Sequence, residues 1–438
     1  MSDVGRLPTL AANRVAIINL ICFAFTAPIC GLLLSVCAAS PALGQPSMTL
    51  GDAISRAVAT DPTAGANTAR VDAASASVRQ AGNGPRPNAG IDVEDFAGTG
   101  PYNRFNRSQS TAFYEQTWER GDKRVARIGV AQAEVEVARK RASIRLLDLI
   151  AKVQGAWIDA AAAEAAIAIA EERVAIAERL EREVRRRVGR ALDPLFAGER
   201  AKTNLVQALT ARDQAIETSK IARRSLSSWW GGTEDFRIDP KELAQLKTVG
   251  SPSGANPDLA LVTAERDVAD ASMRLAESAS YADPTFRVGV RHLAGDSGVA
   301  VIVGGAIPLG VEGANRSNLD RAAALRRAAD AELAVSRLEV RRETERLVAD
   351  RARIRAEVTR IDAEILPTAE GAAKLVVDGY TRGGTAFTYL EMADAQRAVI
   401  DAHTRKLELL RQFHQDGVRL DRLSGRYIAA ISGQEAQK

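Results

Sequence analysis

The chain runs through one structural plan twice, over residues 61–230 and again over 256–425, and a duplicated unit built on very long helices leaves few architectures open. The first copy has Asp61-Pro62, a proline-containing segment at Pro85 to Pro87, Gly121, a long charged stretch, Gly189 and a second helical stretch. In the second copy the same order is Asn256-Pro257, Asp283-Pro284, Gly313, a long charged stretch, Gly383-Gly384 and a closing helix. Matching Pro62 to Pro257, Pro87 to Pro284, Gly121 to Gly313 and Gly189 to Gly383 gives offsets of 195, 197, 192 and 194 residues. The near-constancy argues that both halves fold alike.

Aromatic residues are only 5% of the chain while 26% are charged, a mixture that suits long helices and coiled coils. The 59 basic and 55 acidic residues are interspersed, so the net charge of +4 marks no patch that nucleic acid would need. Residues 15–39 are largely apolar, follow Arg14 and end among small residues, which reads as a secretory signal with residues 1–44 removed after Gly44. The stretch is also long enough for an uncleaved anchor. Cys22, Cys30 and Cys37 all fall inside this leader, so an exported chain has no thiol or disulfide chemistry. Leu34-Ser35-Val36-Cys37 is similar to a lipoprotein cleavage box that would lipidate Cys37, although Val36 stands where a smaller residue is usual.

Between Asp122 and Val188 there is no proline, so a helix of 67 residues is allowed, roughly 100 Å long. Leu146, Ile150, Val153 and Trp157 give it the spacing of a coiled-coil seam. Ile354, Val358, Ile361 and Ile365 repeat that spacing over residues 315–382, with Pro367 expected to step or kink the helix. Each long helix therefore needs partners. Helices at 194–229 and 389–423 would return antiparallel across the glycine turns, and helices at 49–80 and 257–278 have about the length needed to continue them end to end.

Residues 284–309 alternate apolar and polar up to a glycine turn at 295–298 and then become almost wholly apolar, the pattern of a β-hairpin. Residues 88–118 form a second such pair around a polar loop. Four strands of membrane-spanning length cannot close a barrel and cannot leave open edges in lipid. Three copies of the chain would supply twelve strands, so the expected fold is mainly α with a small membrane β part: long antiparallel helical hairpins below a trimeric twelve-stranded barrel. The implied organisation is a signal peptide at 1–44, repeats at 45–245 and 246–425, and a tail at 426–438.

The segments Val188-Gly189-Arg190-Ala191-Leu192-Asp193-Pro194 through Arg200 and Gly379-Tyr380 through Tyr389-Leu390-Glu391-Met392-Ala393-Asp394 to Arg397, with the opening Met48-Thr49-Leu50-Gly51-Asp52-Ala53, carry a family resemblance. Over nearly the whole mature chain the sequence resembles the outer-membrane factor family, the TolC-like exit ducts of tripartite efflux and secretion systems, and within it the CzcC-like heavy-metal branch. The resemblance implies a homotrimer in the outer membrane, a helical barrel in the periplasm closed at its tips, and two further partners, a periplasmic membrane-fusion adaptor and an inner-membrane RND-type transporter. It also implies that Gly189, Asp193, Pro194, Gly383 and Gly384 form the two tip turns.

A duct performs no covalent chemistry, so the candidates are gating and selectivity groups. Glu391 and Asp394 share a helix face beyond the second tip, and in a trimer would make a ring of six carboxylates favouring cations; a solvated helix face is the alternative. Arg185, Arg186, Arg187 and Arg190 crowd the first tip, and pairing of Arg187 or Arg190 with Glu391 or Asp394 would hold a closed state. The alternative is compensation of the helix dipole. His292, His403 and His414 form no ligand set, so neither a metal site nor a cofactor is expected, and no nucleophile has a base to make an enzyme. The function these readings imply is a passive exit duct for a metal-cation efflux pump. The same duct serving drug efflux or type I protein secretion, or a soluble periplasmic coiled-coil adaptor, are the alternatives.

Overall fold

The computed structural model describes residues 47–246, 256–382 and 387–428, so the expected leader with its cysteines, the turn glycines Gly383 and Gly384 and most of the tail lie outside the described residues. The N-terminal helical stretch is two helices, α1 (Leu50–Thr60) and α2 (Thr63–Ala81). Pro62 divides them, because its ring forces the preceding Asp61 out of the helical region to φ −66°, ψ 115°. Thr49 and Asp52 cap α1 reciprocally. Strands β1 (Asn88–Glu94) and β2 (Gln109–Thr117) follow, then α3 (Lys123–Gly189), unbroken over 67 residues, and α4 (Leu195–Ser227).

The second half repeats this with α5 (Pro257–Ser278), β3 (Thr285–Leu293), β4 (Gly298–Ala306), α6 (Val311–Arg360), α7 (Leu366–Thr381) and α8 (Tyr389–Leu423). Entry to α6 is made by Gly310 at φ 73°, the counterpart of Gly121 at φ 69°. Gly313, matched to Gly121 by sequence, lies inside α6 instead. The step expected at Pro367 is a single π-turn, Ile361–Ile365, closed by the Leu366 N–H donating to the Ile361 carbonyl. Proline at 367 cannot donate to residue 363 and its ring presses on that carbonyl, and one extra residue in the turn relieves both. The seam consequently shifts: Ile354, Val358 and Ile361 are buried as expected, but Ile365 is 44% exposed and Leu366 takes its place. In α3 the buried residue is Leu147, with Leu146 half-buried beside it.

The returning helices are continued end to end. At the foot of α5, Asn256 Nδ2 donates to the Leu423 carbonyl that closes α8 at 2.8 Å, and Arg422 bridges Asp258 of α5 and, at 2.7 Å, Asp148 of α3. On the other side, the Thr60 hydroxyl reaches the Trp229 carbonyl just past α4, and α2 carries on along α3. The main core lies at these junctions. Val153, Trp157 and Ile158 of α3 pack there with Ala53 and Ala57 of α1, Leu226 of α4, Ile354 and Val358 of α6 and Phe413 of α8. Phe236, Ile238 and Leu243 from the link between the halves fill the same core. The Trp157 indole N–H donates to the Met48 carbonyl at 3.1 Å, pinning the start of the described chain to the middle of α3.

The strands form one antiparallel sheet in the order β1-β2-β3-β4, so the hairpins of the two halves join through β2 and β3. The registers pair Ile91 with Ala112, Ala112 with Val290 and Val290 with Val301, and likewise Ala89, Tyr114, Val288 and Val303. Because side chains alternate, that face is apolar, and its valines, isoleucine and tyrosine are exposed. The opposite face carries Asp92 and Glu94 on β1, Thr111, Phe113 and Glu115 on β2, and Arg287 and Arg291 on β3. Arg287 pairs with Asp92 and Arg291 with Glu94 across the intervening strand. An apolar outside and a polar inside is the arrangement of a membrane barrel wall.

Candidate functional site

The far ends of the long helices carry the site. At the end of α3 the Leu192 N–H donates to the Arg187 carbonyl and the Ala191 N–H to the Val188 carbonyl, both at 2.9 Å, which is the Schellman closure. The left-handed residue in it is Ala191 at φ 56°. Gly189, expected as the turn residue, is the last residue of α3, with nothing within 4 Å of where a Cβ would stand. Pro194 then sets the extended entry to α4.

This turn aims Asp193 back at Arg187. Arg187 is only 6% exposed; its Nε donates to Asp193 Oδ2 at 3.0 Å and its Nη1 donates to the Tyr380 carbonyl at 2.8 Å. Tyr380, in the last turn of α7, is fully buried, its hydroxyl donates to the same Asp193 carboxylate, and its ring lies 4.2 Å from the Arg187 guanidinium. Three side chains thus knot the two tips together, and each charge is paired and hydrogen-bonded as burial requires. Burial pushes the Tyr380 phenol above its ordinary value, and the neighbouring Asp193 carboxylate adds to the shift, so it remains a donor. The Asp193 carboxylate raises Arg187 in turn. Beneath the knot lies a small core of Leu180, Val184, Ala197, Ala201, Tyr389 and Met392. Tyr389 of α8 accepts a hydrogen bond from Asn204 of α4, a second tie between the hairpins.

The expected lock between tip arginines and Glu391 or Asp394 is not made among the described residues of the protomer. Glu391 caps α8: its carboxylate accepts from the Thr388 N–H at 2.7 Å and hydroxyl at 2.9 Å, and these bonds hold its pKa below the ordinary value. Asp394 faces Arg397 one turn on, at 3.4 Å, with both side chains more than half exposed. Arg185 and Arg186 pair with Glu181 and Glu183 on their own helix. Within the protomer Arg187 is instead taken by Asp193 and the Tyr380 carbonyl. The capping pattern Thr388-x-x-Glu391 was legible in the sequence and explains Glu391 locally; nothing in the sequence places Tyr380 on Asp193, 187 residues away. Among the described residues no group of three or more His, Cys, Asp or Glu is positioned to hold a metal. His292 lies on the apolar face of the sheet, His403 is 3.9 Å from Glu172, and the His414 ring contacts the Leu243 carbonyl at 2.8 Å.

Residues 253–426 match the family described as outer membrane efflux protein. The chain is 27% identical over 388 residues to the cobalt-zinc-cadmium resistance protein CzcC of Cupriavidus metallidurans, covering 86% of this chain and 90% of that one. It is 29% identical over 298 residues to the nickel-cobalt-cadmium resistance protein NccC of Alcaligenes xylosoxydans xylosoxydans, with 65% and 66% covered. Among solved structures, the outer membrane protein VceC of Vibrio cholerae superposes with a TM-score of 0.70 at 18% identity, over 86% of this chain and 96% of that one. The fold is that of solved outer-membrane channels.

Proposed function

We propose that this chain, whose residues 253–426 match the outer membrane efflux protein family, is a TolC-like exit duct of a pump for divalent heavy-metal cations and that Arg187, Asp193 and Tyr380 hold its periplasmic end closed. The observation that carries the duct reading is a one-sided four-stranded sheet, apolar outside and ionic inside, mounted on a 67-residue helix. One protomer leaves β1 and β4 as open edges, and three protomers pairing β4 to β1 would close a barrel of twelve strands. The cargo reading rests on the two metal-resistance relatives. Cations would pass without a fixed site, and the partners would be a periplasmic adaptor and an inner-membrane RND-type transporter.

In this reading the closed state owes its persistence to buried bonds at the tip, and an adaptor opens the duct by competing for them. Glu391 and Asp394 keep their proposed part in a six-carboxylate ring, Glu391 as a cap that also presents charge, with Arg190 at the adjoining tip. The function is tested by expressing the chain with a metal-exporting and, separately, a drug-exporting RND-type transporter, each with its adaptor, in a host lacking its own efflux channel. Tolerance to cobalt, zinc, cadmium and nickel should rise, and tolerance to drugs should not. Drug tolerance without metal tolerance would refute the cargo and leave the duct standing.

A further inference from the structure

The apolar face of the sheet does not stop at the last strand pair. Trp118 follows β2 directly, is 66% exposed, and sets its ring at 6.4 Å edge-on to Phe286, on the same face as Val288 and Val290. Tyr281 ahead of β3, Val125 in the first turn of α3, and Ile307 and Leu309 beyond β4 are exposed too. All of them stand where strands give way to helices, and an amphipathic ring such as that of Trp or Tyr favours this level at a membrane interface.

Beside Trp118 opens a cleft of about 470 Å³. Its strand side is Phe286, Gln116 and Pro85; its helix side is Glu119, Lys123 and Arg124. The cations are not equivalent. Lys123 is engaged by Asp283 and the Tyr281 carbonyl, both at 2.6 Å, and Arg127 is taken by Glu119. Arg124 has only a share of Glu119, at 3.4 Å, and half of its side chain remains open. Its guanidinium lies over Gly84, with Nη2 2.1 Å from where a Cβ of that residue would stand.

We propose that this cleft binds a glycerophospholipid of the periplasmic leaflet, its phosphate on Arg124 and its acyl chains over Trp118 and Phe286. The inference rests on the outer-membrane placement. Two observations select this occupant: the cleft is continuous with the lipid-facing side of the sheet, and an under-compensated arginine sits on its water side. A free phosphate would leave the Trp118 and Phe286 wall uncovered.

The experiment reconstitutes the full-length assembled channel in vesicles of phosphatidylethanolamine and phosphatidylglycerol whose acyl chains are brominated near the headgroup. Trp118 quenching is read as the difference between wild type and Trp118→Phe, and retained phospholipid is counted by native mass spectrometry for wild type, Arg124→Ala and Arg124→Lys. Quenching of Trp118 is expected, with lipid retention about tenfold weaker in Arg124→Ala and largely kept in Arg124→Lys, and no displacement by millimolar inorganic phosphate. Protection of the barrel from protease in the sealed vesicles shows which channels are inserted and folded. An inserted channel whose Trp118 is not quenched overturns the site, the cleft then being covered by the neighbouring protomer, and leaves the duct reading intact. Equal retention by Arg124→Ala, or displacement by phosphate alone, also overturns it. Failure of the wild type to insert at all refutes both readings.

Discussion

Tyr380→Phe is the cleanest test of the tip knot, because it deletes one hydroxyl and keeps the ring that Arg187 lies against at 4.2 Å. The hydroxyl donates to a carboxylate in a fully buried site, and a hydrogen bond to a charged group contributes about 1.5–3 kcal/mol. Asp193 is not orphaned by the change, since Arg187 Nε still donates to it at 3.0 Å, so the loss should be that single bond and not an uncompensated charge. If the knot exists only in the closed state, the closed-to-open ratio falls by about 10- to 100-fold for each tip affected. In planar bilayers, without adaptor or pump, the variant should dwell in larger conductance states far more often than wild type. The companion Arg187→Ala removes both the Asp193 pair and the bond to the Tyr380 carbonyl, and breaking a buried ion pair costs about 3–5 kcal/mol. It should open further and lose thermal stability too. Unchanged conductance of Tyr380→Phe alongside a lowered melting temperature would show that the knot stabilises the tip in both states, and the gating argument would fail.

Four other outcomes follow from named contacts. Val301→Arg, on the apolar face of β4, should abolish membrane insertion, a cost of about 2–4 kcal/mol, whereas Ala300→Arg one residue earlier faces inward and should insert with altered ion selectivity; equal behaviour would mean the register is wrong. Ala191→Gly relieves a left-handed alanine and Gly189→Ala fills open space at a helix end, so both should raise the melting temperature, each by about 0.5–1 kcal/mol of stability, and a loss from either contradicts the Schellman closure. Glu391→Gln keeps an acceptor for the α8 cap but removes charge, so reduced cation preference at unchanged stability would support the carboxylate ring, and unchanged preference would reduce Glu391 to a cap. Asp416 is buried with Oδ2 unbonded, and burial raises its pKa, with Arg419 pulling the other way. The folded state therefore holds its proton more tightly than the unfolded one, and the carboxylate costs stability once pH rises through its folded pKa. Asp416→Asn should melt higher than wild type at neutral pH, the advantage shrinking as pH falls towards the ordinary carboxylate range; an advantage independent of pH would point to packing.

Local signals carried much of what depends on short-range chemistry, although the first turn is made by Ala191 and not Gly189 and α6 is entered at Gly310 and not Gly313. The duplication, the 67-residue helix, the proline step and the alternating strands are written in residue spacing, because helix breakers and side-chain periodicity act within a few residues. Spacing could not foresee that the step would be a π-turn exposing Ile365 and burying Leu366, since that choice balances the Pro367 ring against packing on other helices. The tip shows the same division. Sequence marked a crowd of arginines near acidic residues and a pair of turns; the tertiary structure selected Arg187 from the crowd, gave it Asp193 and Tyr380, and left Glu391 to cap its own helix. Electrostatic attraction alone does not discriminate among so many exposed charges at comparable separations. Burial does, because only a pair with its hydrogen bonds completed can be withdrawn from water, and which pair is withdrawn depends on how two hairpins 187 residues apart in the chain come to lie against each other.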